Sequence, residues 1–326
     1  MNILVIRFSA LGDLVTCDII FKTLRHFYPN ANIVLLTSGI GKGLYQDTNY
    51  FDDYILYDSF GSTLKVLKNN NYDLVLNLQC NSISHRLVLL IKSKKVVNAS
   101  SNIWQKIFGI KKPVKPVVNM IIETGVSKND VDEYSRLDDS FKISLPVKID
   151  KKIDTHKDII VISTGSSEPW PSKKWGVKNY LELIKRLISD NYSVVFVGTS
   201  LEIEDAKYIQ NECSNIINLV DKTNLTQLKS VLYQAKLYIG NDSGPSHIAA
   251  GVGTNTITIF GPTDIKHCTK FMPYHGNHIC IKPTDDITCH PCYKGICPTK
   301  LECMDSIKID YVYNEVKKIL NKGEVK

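Results

Sequence analysis

Asn2-Ile3-Leu4-Val5-Ile6-Arg7, then Phe8-Ser9-Ala10-Leu11-Gly12-Asp13, then apolar residues at helical spacing as far as Tyr28-Pro29, decide how the chain is read. An unbroken aliphatic run that enters a glycine-bearing turn and an amphipathic helix is the first half of a βαβ unit. A strand with no polar alternation is buried on both faces, so helices must cover both. Further apolar runs follow at Asn32–Leu36, Tyr54–Tyr57 and Leu74–Leu78, with helical Thr63–Leu67 and Arg86–Ile91 between them. Helices between parallel strands imply right-handed crossovers, so this half reads as doubly wound α/β.

The stretch Lys111–Asp158 breaks the rhythm. It holds Pro113, Pro116 and Pro146, a basic run at Lys148, Lys151 and Lys152, and one helical piece at about Val131–Phe141. Its end, near Pro146–Lys157, reads as the interdomain linker. The alternation then restarts with strand Asp158–Ser163, helix Val177–Asp190, strand Ser193–Val197 and helix Glu202–Glu212. Ile216–Leu219, helix Leu225–Ala235, strand Leu237–Ile239, helix Pro245–Ala250 and strand Asn255–Phe260 continue it. Asp264–Asp305 reads as irregular and Ile309–Leu320 as a closing helix. The expected domains are 1–155 and 156–326, with the last helix packing back on the first.

Composition supports this reading. A chain of 326 residues at roughly 150 per domain gives about two domains. Hydrophobic residues make up 43% and charged residues 22%, which excludes a disordered chain, a coiled coil and a collagen-like fibre. Forty Lys+Arg against thirty-three Asp+Glu leave +7, a mild pointer to an anionic partner. No apolar run approaches the roughly 18 residues of a membrane span, and the start has no signal-peptide pattern. A cytosolic chain with reduced cysteines is therefore expected.

Four turns could carry chemistry. Arg7–Asp13 follows the first strand, where open α/β sheets bind ligands at their carboxyl edge, but it lacks the G-x-G-x-x-G dinucleotide fingerprint. Asp13 reads either as a helix cap or as a general base that takes a proton from an attacking hydroxyl. Ser163–Trp175 combines small hydroxyl residues, Gly165 and the pair Lys173-Lys174, the parts that hold phosphates. Gly240-Asn241-Asp242-Ser243-Gly244-Pro245-Ser246-His247 runs from a strand into a helix with proline in its first turn, so its free N–H groups and dipole suit an anion. Phe260-Gly261-Pro262-Thr263-Asp264 closes the last strand at the same edge.

In this order and spacing the four turns resemble the bacterial lipopolysaccharide heptosyltransferases, glycosyltransferase family 9. The resemblance spans essentially the whole chain. It implies a GT-B fold, two Rossmann-like domains facing across a cleft, and an inverting transfer of a heptose from ADP-heptose to the inner core of lipopolysaccharide. It makes Asp13 the catalytic base and Lys173 a contact of the donor diphosphate. Asp242, Ser243, Gly244, Ser246 and Thr263 belong to the donor-binding loops, and Glu202 or Glu204 meets the donor ribose. A departure from the family pattern is Thr16-Cys17-Asp18, where a proline usually follows Gly-Asp. The expected acceptor is a lipid-linked core saccharide, met peripherally at the cytoplasmic face of the inner membrane. Lysines 92, 94, 95, 106, 111, 112 and 115 would face its phosphates.

No cofactor and no metal are expected for catalysis. Asp52-Asp53, Asp138-Asp139 and Asp285-Asp286 are adjacent pairs in polar loops rather than a D-x-D metal site, so fixed cations and helix N–H groups must stabilise the leaving diphosphate. Cys280, Cys289, Cys292, Cys297 and Cys303 form a separate cluster, read either as packed thiols or as a structural zinc site. The alternative functions are a related transferase using another sugar nucleotide or glycan acceptor, an NAD-dependent oxidoreductase, and a non-catalytic nucleotide- or membrane-binding module. Nucleic-acid binding finds no support, because the basic residues form no stripe with interleaved aromatics.

Overall fold

The opening run of the chain, Ile3 to Ile6, is fully buried as the central strand of a parallel sheet, and the fold grows around it. The structure, a computed structural model, describes residues 1–99, 116–137, 139–265, 274–284 and 286–321. It forms two units, Met1–Lys142 and Ile143–Lys326.

In the first unit β1 (Asn2–Ile6), β2 (Asn32–Thr37), β3 (Asp53–Leu56), β4 (Asn71–Asn77) and β5 (Lys92–Asn98) run in the order β3-β2-β1-β4-β5, all parallel. The helices are α1 (Leu11–Thr16), α2 (Asp18–Phe27), α3 (Gly39–Tyr45), α4 (Phe60–Lys68), α5 (Ser82–Leu90), α6 (Val117–Thr124) and α7 (Lys128–Ser135). Two features correct the sequence reading. The helix expected over Asp13–Tyr28 is broken at Cys17, whose N–H is shared between the Asp13 and Leu14 carbonyls at 3.2 and 3.1 Å, while the Thr16 hydroxyl also donates to Asp13 O at 2.9 Å. Lys92-Ser93-Lys94-Lys95-Val96-Val97-Asn98, which had no assignment, is an edge strand. Lysines along such an edge keep it from pairing with other chains.

In the second unit β6 (Ile159–Ser163), α8 (Val177–Ser189), β7 (Ser193–Phe196), α9 (Ile203–Glu212), β8 (Ile217–Asn218), α10 (Leu225–Tyr233), β9 (Leu237–Asn241), α11 (Gly244–Gly251) and β10 (Thr256–Ile259) alternate as expected. β11 (His278–Ile281) lies within the stretch read as irregular and pairs in parallel with β10. Four residues that include His278 and Cys280 give too short an apolar run to stand out. The order β11-β10-β9-β6-β7-β8 is the doubly wound Rossmann arrangement.

The domain boundary lies at Lys142/Ile143 rather than 155/156. The segment read as a linker is bonded into the second unit. Leu145 N–H donates to Gly251 O at 2.8 Å, Asp150 and Lys151 N–H donate to Ser230 Oγ, and the buried Lys229 donates to Pro146 O at 3.1 Å. After the short α12 (Glu302–Asp305), α13 (Ile309–Asn321) lays Val312, Val316, Ile319 and Leu320 into the core of the second unit. The apolar stripe expected to turn back to the first domain is thus part of the second unit's own core, with α8 beside it. Among the described residues no helix is long and apolar enough to cross a membrane.

Candidate functional site

Crossovers leave a doubly wound sheet in opposite directions on either side of its first strand, which opens a crevice at the carboxyl ends of the two strands that flank the switch. In the first unit those strands are β1 and β4, in the second β6 and β9. Both early motifs and the Gly240–His247 motif emerge at these positions.

In the first unit Arg7 joins the two switch loops. Its guanidinium donates to Leu78 O at 2.8 Å and pairs with Asp13 Oδ2 at 2.5 Å. Gln79 braces the same turn by accepting from Phe8 N–H at 2.9 Å. Asp13 stands in the first turn of α1, and its Oδ2 also accepts from Ala10 N–H at 3.4 Å. The Arg7 side chain is 13% exposed and that of Asp13 62%, so a nearly buried cation orients an open carboxylate. Oδ1 takes no hydrogen bond from the described residues. Nothing in the sequence identifies Arg7 and Gln79 as braces across the two loops, since Leu78 and Phe8, which they bond there, each lie 71 residues from them.

The second unit gathers a polar cluster at its switch point. Lys173 Nζ pairs with Asp242 Oδ2 at 2.7 Å and donates to the Asp242 carbonyl at 3.2 Å, 5.0 Å above the Trp170 ring. Thr263 Oγ1 donates to the same Asp242 oxygen at 2.7 Å. Burial alone would raise the Asp242 carboxyl. The Lys173 charge, hydrogen bonds from Lys173 and Thr263, and the charge of His247 outweigh it and hold the group below the usual carboxylate range. Asp242 is therefore the counter-ion that fixes Lys173, and Lys173 is the group able to meet an anion. Ser243 caps α11 by its backbone position, and Gly244 opens the helix. Ser246 turns inward and donates to Asn241 O at 2.5 Å, while His247 Nδ1 lies 2.8 Å from Tyr274 OH.

Asn241 holds these loops together, a role its sequence context does not reveal. Its amide donates to Thr164 O at 2.7 Å and to Gly165 O at 3.1 Å, and its carbonyl oxygen accepts from Trp175 N–H at 3.2 Å and Tyr180 OH at 2.9 Å. Asn241→Ala would leave these buried groups unpaired, so a loss of roughly 2–5 kcal/mol is expected. A thermal midpoint equal to that of the unaltered protein would show that the clamp is not needed. Of the two candidate acids beyond β7, Glu202 is buried against Gly165 and Gly198 and accepts from Thr199 through Oε2 at 2.8 Å. Glu204 is exposed and pairs with Lys207. Only Glu202 lies beside the site loops.

The cysteine-rich segment braces the same region. Cys292 and Tyr293 N–H donate to Pro262 O at 3.0 and 2.9 Å, and Ser172 donates through Oγ to Lys294 O at 2.6 Å and through N–H to Gly295 O at 3.1 Å. Cys280, Cys289, Cys292, Cys297 and Cys303 are not joined in disulfides, and among the described residues no three His, Cys, Asp or Glu side chains are grouped to hold a metal. Of the acidic pairs, Asp52 is taken by Arg25 and Asp139 by Lys142, while Asp138 and Asp285 lie outside the described residues.

Residues 61–302 match the model of glycosyltransferase family 9 (heptosyltransferase). The chain belongs to this family. The match begins beyond Arg7–Asp13 and includes every donor-side residue named above. The chain is 28% identical to lipopolysaccharide heptosyltransferase 3 of Escherichia coli over 78% of its own length and 80% of the relative's. It is 25% identical to lipopolysaccharide core heptosyltransferase OpsX of Haemophilus influenzae over 79% and 78%. Among solved structures, a family 9 glycosyltransferase from Veillonella parvula superposes with a TM-score of 0.76 at 18% identity, covering 98% of this chain and 97% of the other. ADP-heptose LPS heptosyltransferase II of Escherichia coli superposes at 0.75 with 20% identity over the whole of both chains. The family 9 chain thus has the GT-B class of fold, two parallel-sheet α/β units.

Proposed function

We propose that this family 9 glycosyltransferase moves a heptose from ADP-heptose to the inner core of lipopolysaccharide with inversion at the anomeric carbon. The observation that carries the reading is the Lys173–Asp242–Thr263 cluster beside the start of α11, a half-buried fixed cation next to free helix N–H groups. That arrangement suits a leaving diphosphate. The relatives named as lipopolysaccharide heptosyltransferases support the choice of sugar and acceptor.

In this reading Asp13 takes the proton from the acceptor hydroxyl while that oxygen attacks the anomeric carbon. The bond from that carbon to the β-phosphate oxygen breaks, and the charge gathered on ADP is balanced by Lys173 and the N–H groups of Gly244 and Ser246. Glu202 receives the ribose. Asp242 and Thr263 act by holding Lys173.

The acceptor is taken to be lipid-linked and met at the inner face of the membrane. Lys92, Lys94 (paired with Asp73) and Lys95 on β5 come one buried residue, Ile91, after the exposed Leu89 and Leu90, a basic and apolar edge suited to anionic headgroups. Lys106, Lys111, Lys112 and Lys115, expected on the same face, lie outside the described residues.

The test is ADP release from ADP-heptose in the presence of a lipid-linked core acceptor, with linkage analysis of the product. Transfer of a heptose is expected. Turnover only with another sugar nucleotide or glycan would replace this donor or acceptor assignment, and no ADP release with any pair would remove the enzymatic reading.

A further inference from the structure

Beneath the α11 turn lie two buried hydroxyls that the catalytic reading leaves unused. Side chains alternate along a strand, so Tyr238 and Gly240 share one face of β9. A Cβ on Gly240 would collide with the Tyr238 hydroxyl, so the glycine is what lets the phenol run along the strand to the carboxyl edge. There Gly240 is flanked by Ser163 of β6 and Thr258 of β10. Tyr238 is fully buried and its hydroxyl has no hydrogen-bond partner. Burial pushes the phenol up to about 12, against the opposite pull of the nearby Ser246, Ser163 and Ser243 hydroxyls. The group is therefore a protonated donor at every ordinary pH.

The second hydroxyl is that of Ser243. Serine at an N-cap usually bonds an N–H of the first turn. Here the backbone is extended as a cap requires, φ −150° and ψ 174°, yet the side chain makes no cap bond and its buried Oγ has no partner. Ser246 gives its one hydrogen to Asn241 O, so toward these two hydroxyls it can only accept. A hydroxyl has one hydrogen to give and lone pairs to receive. A buried one left unmatched costs free energy, which is recovered when a ligand completes the set.

We propose that Tyr238 and Ser243 form a two-hydroxyl relay for the donor diphosphate, in which Ser243 donates to a phosphate oxygen and accepts from Tyr238. In this relay Tyr238 is a positioning residue, which acts through Ser243 and not on the ligand. A hydrogen bond received by Ser243 polarises its O–H toward the anion, so the two bonds strengthen each other. The relay rests on the donor-site reading above.

Tyr238→Phe keeps the ring and deletes only the hydroxyl. By titration calorimetry its Kd for ADP is expected to rise about five- to tenfold, with the ligand-free thermal midpoint kept. Ser243→Ala should raise Kd at least as far, and the double variant should bind no worse than Ser243→Ala alone. Unchanged affinity in Tyr238→Phe, or losses that multiply in the double variant, would overturn the relay while leaving the donor site standing. Failure of the unaltered protein to bind ADP would overturn the donor-site reading and the relay with it.

Discussion

Asp13→Ala is expected to abolish measurable turnover, and Asp13→Asn to lower kcat by about 10²–10⁴-fold, the range that a positioned general base contributes. Both should bind ADP within about twofold of the unaltered protein, since the phosphate-holding residues belong to the other unit. The asparagine variant is the sharper of the two. Its amide oxygen can still accept from Arg7, so the turn keeps its form while the proton acceptor is gone. In the structure Arg7 is bonded to Leu78 O and Asp13 Oδ2, which leaves Oδ1 open to an acceptor hydroxyl. Steady-state kinetics at saturating donor and acceptor, beside ADP binding, separate chemistry from affinity. Near-normal turnover in Asp13→Ala would sink the base assignment, and lost ADP binding would point to a folding role instead.

How far the sequence could be read follows from where each element takes its stability. β1 and β6 are central strands, so their side chains are apolar without interruption and declare themselves. β5 is an edge, its lysines face water, and no apolar period marks it. β11 has only four residues, and the break at Cys17 is a local sharing of the Asp13 and Leu14 carbonyls that no apolar period marks. The domain boundary is hidden for a similar reason. Pro146 and the lysines after it as far as Lys157 look like a tether, yet the backbone of Asp150, Lys151 and Ile153 is bonded to Ser230 of α10 and to Gln234 just beyond it, some 80 residues later in the chain.

The site divides along the same line. Lys173, Asp242 and Thr263 stand in motifs that a reader can quote, but their mutual pairing does not. Asp242 reads as a phosphate contact from its motif, and the structure makes it the anchor of the lysine that can be one. Asn241 and Tyr238 look like ordinary residues of a buried strand. Their use depends on Thr164, Trp175, Ser243 and a missing Cβ at Gly240, none of which sequence spacing reveals.

Lys173 carries the second large effect, and it should appear in stability as well as catalysis. Removing one preorganised charged donor from a developing oxyanion costs about 2–4 kcal/mol, so kcat/KM of Lys173→Met is expected to fall by about 30- to 10³-fold, with weaker ADP binding. The side chains of Lys173 and Asp242 are only 16% and 13% exposed. Removing one partner of such a pair leaves a charge with poor solvation, at a cost of a few kcal/mol. Lys173→Met/Asp242→Asn should regain most of the lost midpoint and none of the lost activity. pH supplies an independent check. In the unaltered protein the Asp242 carboxyl is held below its unfolded value, so its contribution is present above that value and lost as pH falls through the folded one. Without Lys173 burial dominates and raises the carboxyl, so the variant gains from protonation at low pH and loses that gain as pH rises. The midpoint gap between the two proteins should therefore be wider at pH 7 than at pH 4. A gap that stays constant over that range would mean that the pair contributes no charge-dependent stability, and that Lys173 acts on the diphosphate without needing Asp242 as its anchor.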